Sequence, residues 1–189
     1  MKRATTYTAV IIGLAIGIAA GSAVAQTTAN GPYYATPSWD QTLPAATRFI
    51  VLSNFASAAV LDRETGLVWE KSPSTSPFNF WGLASFRCNN LTTGGRSGWR
   101  LPTGQELMSL VDRSVPPPGP TLPSGHPFTN VQSSEYWSAT TGTDISGAPD
   151  PTLAWVVEFD VGFMGSVFQK SNGLAFAWCV RGGQGVEAQ

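Results

Sequence analysis

The stretch LAFAWCVR, residues 174–181, alternates large apolar side chains with small ones, which is the period of a β-strand. One face carries Leu174, Phe176, Trp178 and Val180, and the other carries Ala175, Ala177, Cys179 and Arg181. If Cys179 bonds Cys88, the two alanines must face the segment around Cys88, and their small size allows a close approach. The sequence therefore predicts a helix held against a sheet in an α+β domain.

Two helices are predicted. In the first, apolar residues recur at helical spacing and Asn79 is placed to cap the start. That apolar face consists of Phe80, Trp81, Ala84, Cys88 and Leu91. The second begins at Thr103, because Thr103 and Glu106 fit a capping box in which each satisfies a free backbone amide. Its apolar face consists of Leu107, Leu110 and Val111.

The remaining regular structure is predicted to be antiparallel strands. Asn172-Gly173 is a favoured hairpin turn, so the last strands should form a meander that ends in residues 174–181. Prolines at 116–118 and 120 exclude helix and central strand, which makes residues 113–135 a long loop. The other predicted strands span residues 48–55, 58–61, 67–70, 136–141, 153–160 and 163–169.

The N-terminus has the pattern of an export signal. Lys2 and Arg3 precede an apolar run over residues 9–20, and Ala23-x-Ala25 is the pattern that signal peptidase requires. We expect cleavage after Ala25, with no membrane segment left, and a periplasmic, cell-surface or secreted protein. The predicted organisation is a signal peptide over 1–25, a Pro-containing leader over 26–47, a domain over 48–183 and a tail over 184–189.

Export also sets the interpretation of the two cysteines. In an oxidising compartment, Cys88 and Cys179 are most simply one disulfide. Two cysteines and one histidine, His126, cannot supply a structural zinc site without carboxylates. We expect no metal and no cofactor. Loss of Lys2 and Arg3 leaves a net charge of about −3 and two lysines, which disfavours nucleic-acid binding.

Five ordered blocks resemble one bacterial family, the C-terminal domain of the Legionella collagen-like adhesin. The resemblance runs from about Val60 to Gly183. The blocks are VLDRETGLVWEK (60–71), GGRSGWRLPTGQELMSLVD (94–112), YWSATT (136–141), AWVVEFD (154–160) and CVRG (179–182).

The WRLPT segment is also similar to the formylglycine-generating enzyme family. The resemblance implies a C-type-lectin-like fold, with two helices packed on a twisted antiparallel sheet, long loops and one disulfide. The chain lacks the extra cysteines that these enzymes use for copper and oxygen chemistry. It also lacks the Glu-Pro-Asn and Trp-Asn-Asp motifs of the calcium-dependent sugar site of C-type lectins.

Four residues are candidates for ligand binding. Trp137, beside the long loop, is placed for exposure, whereas Trp69, Trp99, Trp155 and Trp178 are expected in the core. Glu158 and Asp160 lie two apart on a predicted strand and should share one face, as carboxylates for a cation, sugar hydroxyls or acid–base chemistry. Arg100 can bind an anion. The competing interpretation is a solvated sheet face for the carboxylates, or their pairing with Arg100 or Arg181, and a structural salt bridge for Arg100.

Two weaker candidates lie in loops. His126 is the only histidine, and its expected state is a loop residue without a catalytic task. Asp144 and Asp150 can bind calcium in principle, but their spacing misses the EF-hand pattern.

Three functional hypotheses follow. The first is an exported, non-enzymatic recognition or adhesion domain for polysaccharide or a surface glycan. The second is a structural subunit of an envelope or fibre assembly that self-associates through the leader. The third, an enzyme related to the formylglycine generators, is disfavoured by the count of two cysteines.

Overall fold

The computed structural model describes residues 43–183, which form short helices and eight strands. Two single-turn 3₁₀ helices span Ser53–Phe55 and Thr93–Gly95. The helices are α1 (Ala45–Arg48), α2 (Trp81–Asn89) and α3 (Gly104–Met108). The strands are β1 (Phe49–Val51), β2 (Ala59–Asp62), β3 (Val68–Glu70), β4 (Trp99–Arg100), β5 (Glu135–Thr143), β6 (Pro149–Glu158), β7 (Phe163–Gln169) and β8 (Val180–Arg181).

The strands form two antiparallel sheets. One has the order β1-β2-β3-β8-β4 and the other the order β5-β6-β7. The α+β class, the antiparallel pairing and the hairpin of β2 with β3 are confirmed. Within the described range, no helix has the length and apolar character needed to cross a membrane.

The predicted meander is confirmed for β5, β6 and β7, but its last strand is wrong. β7 pairs with β6, but residues 174–181 leave that sheet and reach the other one. Their backbone bonds instead to segments far away in sequence, through Phe78 N to Ala175 O at 2.8 Å, Ser74 N to Ala177 O at 3.0 Å and Glu70 N to Cys179 O at 3.0 Å. Most of this stretch is apolar on both faces, so burial of both faces stabilises it. A position at the edge of the second sheet would not bury both faces.

The closing segment, residues 174–181, separates two hydrophobic clusters. Ala175, Ala177 and Cys179 are fully buried in the cluster that contains Ala84 and Cys88 of α2, as predicted. The opposite face sends Trp178 and Val180 into the cluster formed around α3 and the first sheet. The disulfide between Cys88 and Cys179 is present, with 5.4 Å between the Cα atoms, so the predicted tie between helix and closing segment is confirmed.

The two predicted helix starts had different outcomes. α3 begins with the predicted capping box, because Thr103 Oγ1 accepts from Glu106 N at 3.1 Å and Glu106 Oε2 accepts from Thr103 N at 2.9 Å. The Asn79 cap is wrong: α2 begins after Phe80 without a side-chain cap. Its first amide, Trp81 N, donates instead to Lys170 O at 2.9 Å.

Three strand boundaries differ from the sequence prediction. The first strand ends at Val51 rather than residue 55, because a 3₁₀ turn and two residues with positive φ, Ala56 and Ser57, reverse the chain. β5 extends over Glu135–Thr143. β6 begins earlier than predicted and ends at Glu158, since Gly162 N donates to Glu158 O at 2.8 Å and closes a turn there.

The long loop at 113–135 contains no helix or strand before β5 starts at Glu135, close to the prediction. It is nevertheless fixed to the domain. Leu122 and Phe128 are buried in the cluster around α3. Thr121 donates to Phe159 O through both its backbone N, at 2.8 Å, and its Oγ1, at 2.9 Å.

Candidate functional site

Trp137 is fully buried, so the predicted exposure of this side chain is wrong. The outer edge of β5 is covered by the closing segment, with Trp137 N donating to Phe176 O at 2.9 Å. The indole Nε1 donates to Phe78 O at 3.2 Å, and the ring meets that of Phe168 edge-on at 5.7 Å between centroids. The indole therefore acts as a packing element.

Three of the four tryptophans predicted for the core are found there. Trp69, Trp99 and Trp178 are buried, as expected. Trp155 is half-buried, so its assignment to the core is wrong. It lies on the central strand of a three-stranded sheet, opposite Val167 of β7. Its immediate neighbours Ala154 and Val156 are buried and point to the other side of the sheet.

Arg100 has a structural role in an ion pair. Its guanidinium makes a bidentate ion pair with Glu106, at 2.8 Å from Nη1 to Oε2 and 2.7 Å from Nη2 to Oε1. Nη2 also donates to Gly182 O at 2.7 Å. Because Glu106 closes the capping box of α3, the pair ties β4, α3 and the end of β8 together. The geometry matches the structural salt bridge considered for Arg100.

Glu158 and Asp160 do not share a strand, which corrects the prediction. Glu158 is the last residue of β6 and accepts a hydrogen bond from Ser166 Oγ, while Asp160 lies in the turn that leads to β7. The register places Glu135 of β5 opposite Glu158 instead. The structure thus brings two glutamates together at one end of the second sheet. Glu135 was missed because only strand pairing, which one sequence does not show, reveals it.

The loop candidates keep local roles. The ring of His126 lies 5.8 Å from that of Phe128, and burial lowers the pKa of His126. Hydrogen bonds from Ser146 and Thr152 lower the pKa values of the exposed Asp144 and Asp150, respectively. Across residues 43–183, no group of three or more His, Cys, Asp or Glu side chains is arranged to hold a metal ion.

A shallow cavity lies where β7 turns toward the closing segment. Its volume is about 410 Å³. It combines exposed amide side chains on Gln169 and Asn172 with the apolar side chain of Leu174, which is 56% exposed. The full lining is Val167, Phe168, Gln169, Asn172, Gly173 and Leu174.

Gly173 explains how Trp137 relates to this cavity. A Cβ atom at Gly173 would lie 2.6 Å from the indole ring of Trp137 and 2.9 Å from Phe168. The backbone of the cavity wall therefore rests directly on the buried ring. The prediction was that Trp137 contacts a ligand. In the structure, Trp137 lies beneath the cavity wall, and the wall rather than the indole contacts solvent.

Three further apolar side chains are exposed on α2 and on the residue that precedes it. Phe80, Leu83 and Phe86 are 48%, 51% and 66% exposed, although α2 is otherwise anchored through Ala84 and Cys88. The helix start is joined to the cavity segment, since Gly173 N donates to Asn79 O at 3.1 Å. The ammonium of Lys170 lies 4.8 Å from the Trp81 ring centroid.

These features define a small, disulfide-bonded α+β domain with an open surface of amide and apolar side chains. The family model of the Lcl C-terminal domain matches residues 58–181, about two-thirds of the chain. The chain belongs to that family, a class of bacterial surface-protein domains, as the sequence blocks predicted. Neither the curated proteins nor the solved structures contain a match to this chain.

Proposed function

We propose that the protein is an exported, non-enzymatic recognition domain that binds polysaccharide or a surface glycan through the cavity beside β7. The observation that carries the proposal is the pairing of two exposed amides with exposed apolar side chains at one concave site. Gln169 and Asn172 line the cavity together with Val167 and Leu174.

The chemistry of this surface suits a saccharide. A pyranose ring presents hydroxyl groups at its rim and C–H groups on its faces. An amide side chain both donates and accepts, so Gln169 and Asn172 can each bond to a hydroxyl pair. Leu174 and Val167 offer apolar contact for a ring face. Because the cavity is shallow, one site should bind weakly, and a repeating polymer should gain affinity through multiple contacts.

Charge favours a neutral glycan over a sulfated one. The full chain has 11 basic and 12 acidic residues, and the cavity lining has no charged side chain. Binding that does not depend on ion pairing is little screened by salt. We therefore expect affinity to change little between low and physiological ionic strength.

Several parts of the proposal concern residues outside the described range. The signal peptide over 1–25, most of the leader over 26–47 and the tail over 184–189 lie there, so export and leader-mediated assembly remain proposals. The C-type-lectin-like fold is likewise proposed from the resemblance. The enzyme hypothesis gains no support, because both cysteines of the chain are joined in the disulfide and offer no thiolate.

A glycan array, followed by calorimetry on the bound glycans, tests the proposal with the exported, processed protein. Gln169→Ala and Asn172→Ala should each weaken binding about tenfold, because each removes a hydrogen-bonding side chain. Gln105→Ala removes another exposed amide, on α3, and should leave affinity unchanged. A protein that binds no glycan above background, or two cavity variants with unchanged affinity, would contradict the proposal.

A further inference from the structure

We infer that β7 pairs with β7 of a second copy of the chain, antiparallel and about a two-fold axis at Val167. The two three-stranded sheets then become one sheet of six strands. This self-association does not depend on saccharide binding, and it uses the β7 edge rather than the leader.

The outer edge of β7 presents backbone groups that suit strand pairing. β7 ends the order β5-β6-β7, and no strand of the described chain pairs with its other side. The bond from Lys170 N to Thr152 O, at 2.8 Å, fixes the alternation of bonded pairs between β6 and β7. Val167 therefore directs both its N–H and its C=O outward, and Gln169 directs its N–H outward, while Gln169 O accepts from Asn172 N at 3.1 Å. A row of such groups is a template for another strand.

The composition of β7 favours a copy of itself as the partner. Phe163–Gln169 contains no charged residue and no proline, so it lacks the devices with which edge strands prevent pairing. Antiparallel pairing of identical strands is isologous, as a two-fold dimer requires, and it brings no like charges together.

The other edges are less suitable. The outer side of β5 is bonded to the closing segment, with Phe176 N donating to Glu135 O at 2.8 Å. β1 has three residues and β4 has two, which are short templates. β7, with seven residues, is the long open edge in the part of the chain that the structure describes.

A two-fold axis at Val167 also brings the cavity of each copy into contact with β7 of the other copy. Gly165 of one copy then lies opposite Gln169 of the other. The ring of Phe163 occupies the position that a Gly165 side chain would take, and it is 52% exposed. Each cavity would thus gain an aromatic wall, Phe163 of the second copy, next to its own Gln169.

Mass measurement of the processed full chain between about 1 and 100 µM, by light scattering, tests the dimer. The unchanged protein should be a dimer at the upper concentrations. Val167→Lys and Val167→Glu each place like charges face to face at the axis and should weaken the dimer at least about a hundredfold. An equimolar mixture of the two variants should restore it. Ile145→Lys adds the same charge at a fully exposed position and should dimerise normally.

Hydrogen exchange gives a second measurement that needs no variant. The Val167 amide should be protected in concentrated protein and exchange faster on dilution, because its proposed partner is in the other copy. A monomer at every concentration, a dimer that persists in Val167→Lys, or a Val167 amide whose exchange ignores dilution would each overturn the inference.

Discussion

Arg48 places a guanidinium inside the domain, where it is 1% exposed. It bonds to Asp62 through Nε at 2.9 Å and Nη2 at 2.7 Å, and Nη2 also donates to Ser109 O at 2.7 Å. Glu64 Oε2 lies 3.2 Å from Nε. One cation thus faces two buried carboxylates, and it links β2 to the end of α3.

Replacing Arg48 with methionine should therefore destabilise the protein by about 3–5 kcal/mol, since it leaves buried carboxylates without a cation. Urea unfolding at pH 7 measures the free energy of unfolding. Arg63→Met removes the same side chain at an exposed position and should change it by about 0.5 kcal/mol or less. Equal losses of unfolding free energy in Arg48→Met and Arg63→Met would show that the buried ion cluster does not stabilise the protein more than an exposed arginine does.

His126 predicts a pH dependence of stability. Burial lowers its pKa below the ordinary value of 6.5, so the unfolded chain takes up a proton at higher pH than the folded chain. Its contribution is therefore fully present above pH 6.5 and is lost as the pH falls below that value. Free energies of unfolding at pH 7.5 and pH 5.5 should differ less in His126→Gln than in the unchanged protein. The same difference in both proteins would assign the dependence to other groups.

At the scale of single elements, the capping box of α3 should contribute measurably to the free energy of unfolding. Thr103→Ala removes the acceptor of Glu106 N and should cost about 1 kcal/mol, while Thr103→Ser keeps the hydroxyl and should cost less. Urea unfolding of the two variants makes the comparison. A serine variant as unstable as the alanine variant would mean that the threonine methyl group, rather than the cap, stabilises this turn.

The same elements show which features the sequence could predict. The start of α3 was predictable because a capping box joins residues three apart. The position of residues 174–181 was not, because their partners at Phe78, Ser74 and Glu70 lie about a hundred residues away. Asn172-Gly173 has favoured hairpin chemistry, yet a turn signal does not specify which strand follows it.

The candidate site shows the same limit. Arg100 and Glu106 are six residues apart, and their ion pair matches an alternative that the sequence had offered. The burial of Trp137 depends on the closing segment covering β5, and the opposition of Glu135 to Glu158 depends on strand register. The cavity is formed by the end of β7 and the turn that follows it. The pattern of residues in one sequence does not predict the shape of such a site.

For the whole molecule, the closing segment is the element that joins the parts. It bonds to the first sheet through β8, to Phe78, which precedes α2, through Ala175, and to β5 through Phe176. It also divides the two hydrophobic clusters. The disulfide fixes this segment to α2 across a separation of 91 residues. In the chain-entropy model, closing a loop of that length reduces the conformational entropy of the unfolded chain and thereby destabilises it by about 4–5 kcal/mol.

The double substitution Cys88→Ala/Cys179→Ala should therefore lower the free energy of unfolding by about 4 kcal/mol, measured by urea unfolding. The Arg87–Glu70 ion pair, at 2.7 Å, remains in the variant and keeps α2 connected to β3. Reduction of the unchanged protein in denaturant is the matched control and should give a similar loss. If the variant loses less than about 1 kcal/mol, the backbone bonds of the closing segment alone hold the two sheets together, and the covalent tie is dispensable for the fold.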